Sequence, residues 1–249
     1  MAKKIITFCI VLLMATIVSC KKENNTTTPS SPEKVHLAKE YLIVGNDTIT
    51  TTYYWENNIL HKIITEEVPE WDTCILVTTT TFNYENGLLK ESIIKLTYEG
   101  VSVSATSSFS YEDGQISKFI YYYSVYDTIL VVDNFDFDAD GNITKMVNHF
   151  YEYGSFETLL TWENGDIVAV NENGYIDNYT YDDKPSVYTG FPIWKIDNSV
   201  SFSLYASKHN KIDTLNYEYT YDGDKLVSKK KIGDDCMETH YIYTDGTGR

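Results

Sequence analysis

The sequence predicts an all-β fold: an antiparallel meander of repeated β-hairpins that curls into a barrel-like sheet. Three observations predict it. Between Tyr217 and Lys230, Tyr217, Tyr219 and Tyr221 alternate with Glu218 and Thr220; Asp222-Gly223-Asp224 interrupts, and Leu226, Ser228 and Lys230 resume the alternation. That is the period of a half-buried strand on either side of a tight turn. The same phrase recurs along the chain. The composition also suits a pleated surface, with 22 Tyr and 14% aromatic residues but only 5 Pro in 249 residues.

In chain order, residues 1–19 read as a signal peptide. Lys3 and Lys4 precede an apolar run, Ile5 to Val18, that is shorter than the ~20 residues a membrane-spanning helix needs. Ile17-Val18-Ser19-Cys20 resembles a bacterial lipobox, and that resemblance implies cleavage before Cys20 and acyl chains such as palmitate on its thiol and amine. Residues 20–34 then form the lipidated Cys20 and a flexible tether. KKENNTTTPSSPEK has no apolar residue to bury, so it cannot offset the entropy of ordering. Residues 35–249 form one β domain, long enough for a full core.

Within that domain the anchor aromatics are Trp55, Tyr84, Tyr111, Phe137, Trp162, Tyr181, Tyr221 and Tyr243. The first five lie 25 to 29 residues apart, room for two strands, one tight turn and one longer loop. Each is followed by an acid or threonine, then in most cases by a turn containing Asn-Gly or Asp-Gly, then by an apolar residue. The aromatic and that apolar residue share a face and pair across the strands. Asn-Gly and Asp-Gly provide the positive φ that hairpin turns demand. Tight turns are therefore expected at one end of the sheet and longer loops at the other. Tyr181-Asp182-Asp183-Lys184 reads as a sixth turn that runs into Pro185. The 40 residues from Tyr181 to Tyr221 break the rhythm, and Pro185 and Pro192 exclude central strands there. That interval reads as a crossover or a loop folded over one end of the sheet. Phe191, Ile193 and Trp194 either plug the core or form a ligand lip.

The repeat resembles the tyrosine-aspartate repeats of Rhs-type shells. It is also similar to an uncharacterised family of bacterial lipoproteins, a resemblance that implies a porin-like β fold over about residues 40–249 and transfers no catalytic residue.

Seven or eight hairpins imply about 14 strands, and a sheet that wide curls or splits. Closure would remove its edges and bring the loops carrying Cys74 and Cys236 together. A Cys74–Cys236 disulfide suits an oxidising envelope; two separately buried thiols are the alternative. The outward candidates Glu218, Thr220, Asp136, Asp138, Glu157 and Thr161 are polar, unlike the lipid-facing band of a membrane barrel.

Candidate chemistry is sparse. Asp136, Asp138, Asp140 and Gly141 follow the start of a calcium loop, but Val147 stands where a bidentate acid is needed, so an ordinary turn competes with a metal site. Trp71 and Trp194 are candidate ligand-binding aromatics, with core packing the competing role. The five histidines show no metal-ligand spacing, and phosphate-binding, dinucleotide and nucleophile-elbow motifs are absent. No cofactor is expected. The net charge of −16, without a large basic cluster, excludes nucleic acid as a partner. The expected function is that of a non-enzymatic lipoprotein of the outer membrane. It would be held to that membrane by its lipid, on the surface or the periplasmic face, and would bind or scaffold an envelope partner. A glycan-binding or adhesin-like surface module is the alternative.

Overall fold

The computed structural model describes residues 34–68, 75–123, 128–150, 154–192, 203, 206–212, 216–233 and 237–248. Val35–Arg249 is one compact unit. Cys20, Trp71, Cys74, Trp194 and Cys236 lie outside the described residues.

Among the described residues the strands are β1 Leu37–Val44, β2 Asp47–Glu56, β3 Ile59–Glu67, β4 Leu76–Glu85, β5 Leu88–Tyr98, β6 Val101–Glu112, β7 Gln115–Tyr123 and β8 Thr128–Phe137. There follow β9 Ile143–Phe150, β10 Gly154–Glu163, β11 Asp166–Glu172, β12 Tyr175–Asn178, β13 Thr180–Pro185, β14 His209–Ile212, β15 Tyr217–Asp222, β16 Lys225–Lys231 and β17 Met237–Tyr243. Fifteen form one antiparallel sheet, ordered β12 back through β1 and then β17, β16, β15. The chain's two ends thus meet inside the sheet: β1 pairs with β17 from Leu37↔Tyr243 to Val44↔Met237.

The hairpins form as their turn residues demand. Asn57-Asn58 has φ of 51° and 62°, and Asn86-Gly87 has 53° and 81°; positive φ at both positions matches the right-handed twist of the strands. Six of the eight anchors then sit directly opposite the apolar residue after their turn: Trp55↔Leu60, Tyr84↔Leu89, Tyr111↔Ile116, Phe137↔Ile143, Trp162↔Ile167 and Tyr221↔Leu226. A register shift precedes every one of these pairs, because a β-bulge bends the strand just before the turn.

Three departures from the sequence expectation have local causes. Tight turns occupy both ends of the sheet, since Gly45-Asn46, Glu99-Gly100 and Asn173-Gly174 close β1–β2, β5–β6 and β11–β12. Tyr181 to Lys184 is no turn but part of β13, which pairs with β14 in a separate two-stranded ribbon. The strand count is correspondingly higher than 14.

The ribbon lies between the sheet's two edge regions. On one side Tyr179 N donates to Val168 O at 2.9 Å, Lys208 N to Gly165 O at 3.0 Å, and the Asp166 carboxyl holds His209 through N (2.8 Å) and Nδ1 (2.6 Å). On the other, Tyr221 Oη donates to Asp182, and Lys184 Nζ reaches Asp224 Oδ1 at 3.1 Å. The main sheet is not closed by its own ladder, yet the ribbon ties both edge regions together.

One apolar cluster fills the concave side, drawing Leu37, Leu60, Phe82, Phe119, Val132, Ile167 and Leu226 from strands all round the sheet. Phe191, from the segment after β13, packs edge-on against Tyr53 and Trp55 at 5.1 and 5.2 Å. Phe191 therefore plugs the core. Gly190 lets the segment pass: a Cβ there would sit 3.4 Å from His36 Cε1, and its φ is +86°. The convex side is mixed, with Tyr54, Tyr122, Ile129 and Leu159 exposed among polar side chains and no continuous apolar belt among the described residues. Ser102, Ser104, Ser108 and Ser110 of β6, Glu157 and Thr161 of β10, and Glu218 and Thr220 of β15 are all exposed.

Candidate functional site: an aromatic bowl at the turn end

The anchor rings turn inward and sideways, toward the neighbouring hairpin, whether or not a bulge precedes them. Six anchors use their polar atom to reach a backbone carbonyl next door. Trp55 Nε1 donates to Leu37 O (2.8 Å), Tyr84 Oη to Leu60 O (2.9 Å), and Tyr111 Oη to Leu89 O (2.9 Å). Trp162 Nε1 donates to Ile143 O (2.7 Å), Tyr181 Oη to Ile167 O (2.8 Å), and Tyr243 Oη to Leu226 O (2.9 Å). The acceptor is, in all but the first, the apolar residue after the preceding turn. Each tie is a neutral hydrogen bond, worth about 1 kcal/mol net, and it fixes its ring against the wall. Burial pushes the Tyr84 hydroxyl up to about 12, with Tyr111 adding to it, and burial raises Tyr111 as well.

With their polar atoms committed to carbonyls, the rings present carbon faces and edges to the space between them. That space is a cavity of about 540 Å³ at the end where these turns gather. Tyr84, Tyr111, Phe137 and Trp162 wall it, with Leu89, Ile116 and Ile143 beside them. Gly190, Pro192 and Ala206 close another side, and Asn58, Gln115 and Asn142 bring amides to it. Two of those amides are held: Asn58 Oδ1 pairs with His36 Nε2 at 3.1 Å, and Asn142 Nδ2 donates to Asp138 Oδ2 at 3.0 Å. None of the described residues lining the cavity is charged, in a chain of net charge −16. Such a site suits a neutral molecule with apolar and hydrogen-bonding parts.

The residues singled out from sequence lie elsewhere. Asp136 is exposed on β8. The Asp138 carboxyl folds back into its own turn, accepting from Asp140 N (3.0 Å), Asn142 N (2.9 Å) and Asn142 Nδ2 (3.0 Å). Those bonds, Asn142's side chain first, hold it below its usual range. Among the described residues no three His, Cys, Asp or Glu side chains are grouped as metal ligands. The β1–β17 pairing leaves only β17, β1, β2 and β3 between the loops that carry Cys236 and Cys74. The bowl's own residues carried a signal, since four are anchors of the repeat, but as core positions rather than as a wall.

No protein-family model and no curated protein matches the chain. Among solved structures, a porin-like protein from Bacteroides uniformis is similar, with a TM-score of 0.51 at 13% identity, over 83% of this chain and 96% of that one. The chain has a porin-like β fold.

Proposed function

We propose that this protein is a non-enzymatic, lipid-anchored binding protein of the cell envelope. Its bowl takes a neutral, partly apolar ligand. The observation that carries the binding role is the aromatic-walled cavity, with no charged side chain among the described residues that line it, in a strongly acidic protein. The lipobox-like Ile17-Val18-Ser19-Cys20 and the porin-like fold support an outer-membrane location. The exposed serines, threonines and acids of the convex face support a domain that hangs from its lipid in water, since a bilayer-spanning barrel needs an apolar belt there. Two or more acyl chains make a durable anchor. Cys20→Ala is expected to lose incorporation of labelled palmitate and to move from the membrane fraction to the soluble fraction. Retention in the membrane would place the anchor elsewhere.

A glycan as the ligand is the second reading. Fixed ring faces stack on the C–H face of a sugar while the amides of Asn58, Gln115 and Asn142 meet its hydroxyls. Titration calorimetry against neutral glycans tests this reading. Leu88 lines the bowl at its exposed rim, so Leu88→Asp introduces charge without emptying the core. It is expected to weaken binding about tenfold, the penalty for one unpaired charge facing an apolar ligand surface. Unchanged affinity would move the site out of the bowl.

A further inference from the structure

Within the main sheet the repeat is broken at one seam, beside the bowl. Next to the bowl, neighbouring hairpins are joined by a ladder that stops short of the turns, with the anchor's tie spanning the remainder. At six seams the last ladder residue stands three before the anchor: Thr52 before Trp55, Thr81 before Tyr84, Ser108 before Tyr111, Leu159 before Trp162, Asn178 before Tyr181 and His240 before Tyr243. At the β7–β8 seam the last pair is Phe119↔Val132, and Val132 stands five before Phe137. Three further features coincide there. Phe137 is an anchor without a hydrogen-bond donor, so no tie can reach Ile116 as Tyr111 reaches Leu89. The β8 strand slips register between Asp133 and Asp136, with Asn134 at φ +52°. A groove of about 720 Å³ lies between the parted strands, lined by residues of β6, β7 and β8 that include Ser110, Ser117, Lys118, Asp133 and Asn134. Gln115, Ile116 and Phe137 line both this groove and the bowl.

We propose that the β7–β8 seam is a lateral slot through which a linear neutral glycan runs from the bowl to the outer groove. This rests on the bowl being a ligand site, and deepens it by assigning a chain rather than a compact molecule. The chemistry changes along the path as a chain would require. The enclosed part meets ring faces and amides, and the emerging part meets hydroxyl, amide and charged side chains in water. A compact apolar ligand would have no use for the polar groove.

The test is calorimetry with length series, from monosaccharide to octasaccharide, of neutral linear glucans, mannans and xylans. In the unmodified protein, affinity for a bound series is expected to keep rising past the length the bowl can enclose. Phe137→Tyr gives the seam the donor that the other seams have and narrows the slot. It should weaken long members about tenfold more than short ones. Ser110→Trp fills the groove from its exposed face without touching the ties, and should act on long members alone. Equal affinity at every length, or loss of short and long members alike in Ser110→Trp, overturns the slot and leaves the bowl standing. No binding at any length in all three series overturns the glycan reading of the bowl and the slot with it.

Discussion

Raising the pH above about 10 is expected to unfold this protein in a cooperative step, with tyrosinate absorbance and loss of the β-sheet circular dichroism appearing together. The cause is the set of inward tyrosines. Burial pushes Tyr84 and Tyr181 up to about 12, and raises Tyr111, Tyr221, Tyr241 and Tyr243 above the ordinary range. In the unfolded chain a tyrosine ionises near 10. Between that value and the folded one, the folded state holds the extra proton. Stability from these groups is therefore complete below about pH 10 and is lost as pH rises through the folded values. Each group held protonated in this way adds about 1.4 kcal/mol per pH unit to the slope, and half-exposed ones add less.

Lys211 works the other way. Burial lowers it to about 8, its amine lying 3.3 Å over the Tyr179 ring. The unfolded chain then holds the extra proton between about 8 and 10.5, and the protein gains stability as pH rises through that window. One lysine is outweighed by six tyrosines above 10, so a shallow rise precedes the collapse. Gradual ionisation of all tyrosines near 10, with the sheet intact, would show that the rings are not sealed as described.

The parts legible in the sequence were those fixed by single residues. Asn86-Gly87 and Asp113-Gly114 announce their turns because few other pairs take positive φ at both positions. The anchors were legible because an aromatic opposite a leucine or isoleucine buries both. Glu99-Gly100 was not legible, as Glu99 adopts φ +48° with no residue-type signal to announce it. Tyr181 shows the opposite failure. It keeps the anchor's role, its hydroxyl tied to Ile167 O, but the residues after it continue as strand. Asp182 accepts from Lys184 N at 2.9 Å and from Asn210, contacts that lie partly outside the local pattern. The β1–β17 pairing joins residues some 200 positions apart, and no local periodicity encodes it. The bowl escaped notice for the same reason. Strand period says which face a ring takes, while the curvature that sets four rings around one space comes from bulges and from the order of the sheet.

The ribbon between the edges depends on one carboxyl, and its removal should be felt as a local opening. Asp166 follows the Asn164-Gly165 turn, where other repeats place Ile59, Leu88, Gln115 or Lys225. It is only 5% exposed, and it accepts from His209 N at 2.8 Å while its other oxygen meets His209 Nδ1 at 2.6 Å. Asp166→Ala leaves both nitrogens without this partner. Hydrogen bonds to a charged group contribute about 1.5–3 kcal/mol each, so the expected loss is roughly 3–6 kcal/mol. Asp166→Asn retains one good acceptor and should lose about half as much. The position of the damage matters more than its size. His209 opens β14, and β14 is the partner of β13, so the loss should loosen the ribbon before the sheet. Amide exchange is expected to accelerate first in Thr180–Pro185 and His209–Ile212, with β3 to β6 protected as before. Beside them, Ser207 Oγ accepts from Ile167 N at 3.1 Å and donates to Tyr181 Oη at 3.0 Å, so the Tyr181 tie should loosen next. Uniform acceleration across every strand would mean that the ribbon and sheet unfold as a single unit. The tie between the edges would then be indispensable to the curl itself.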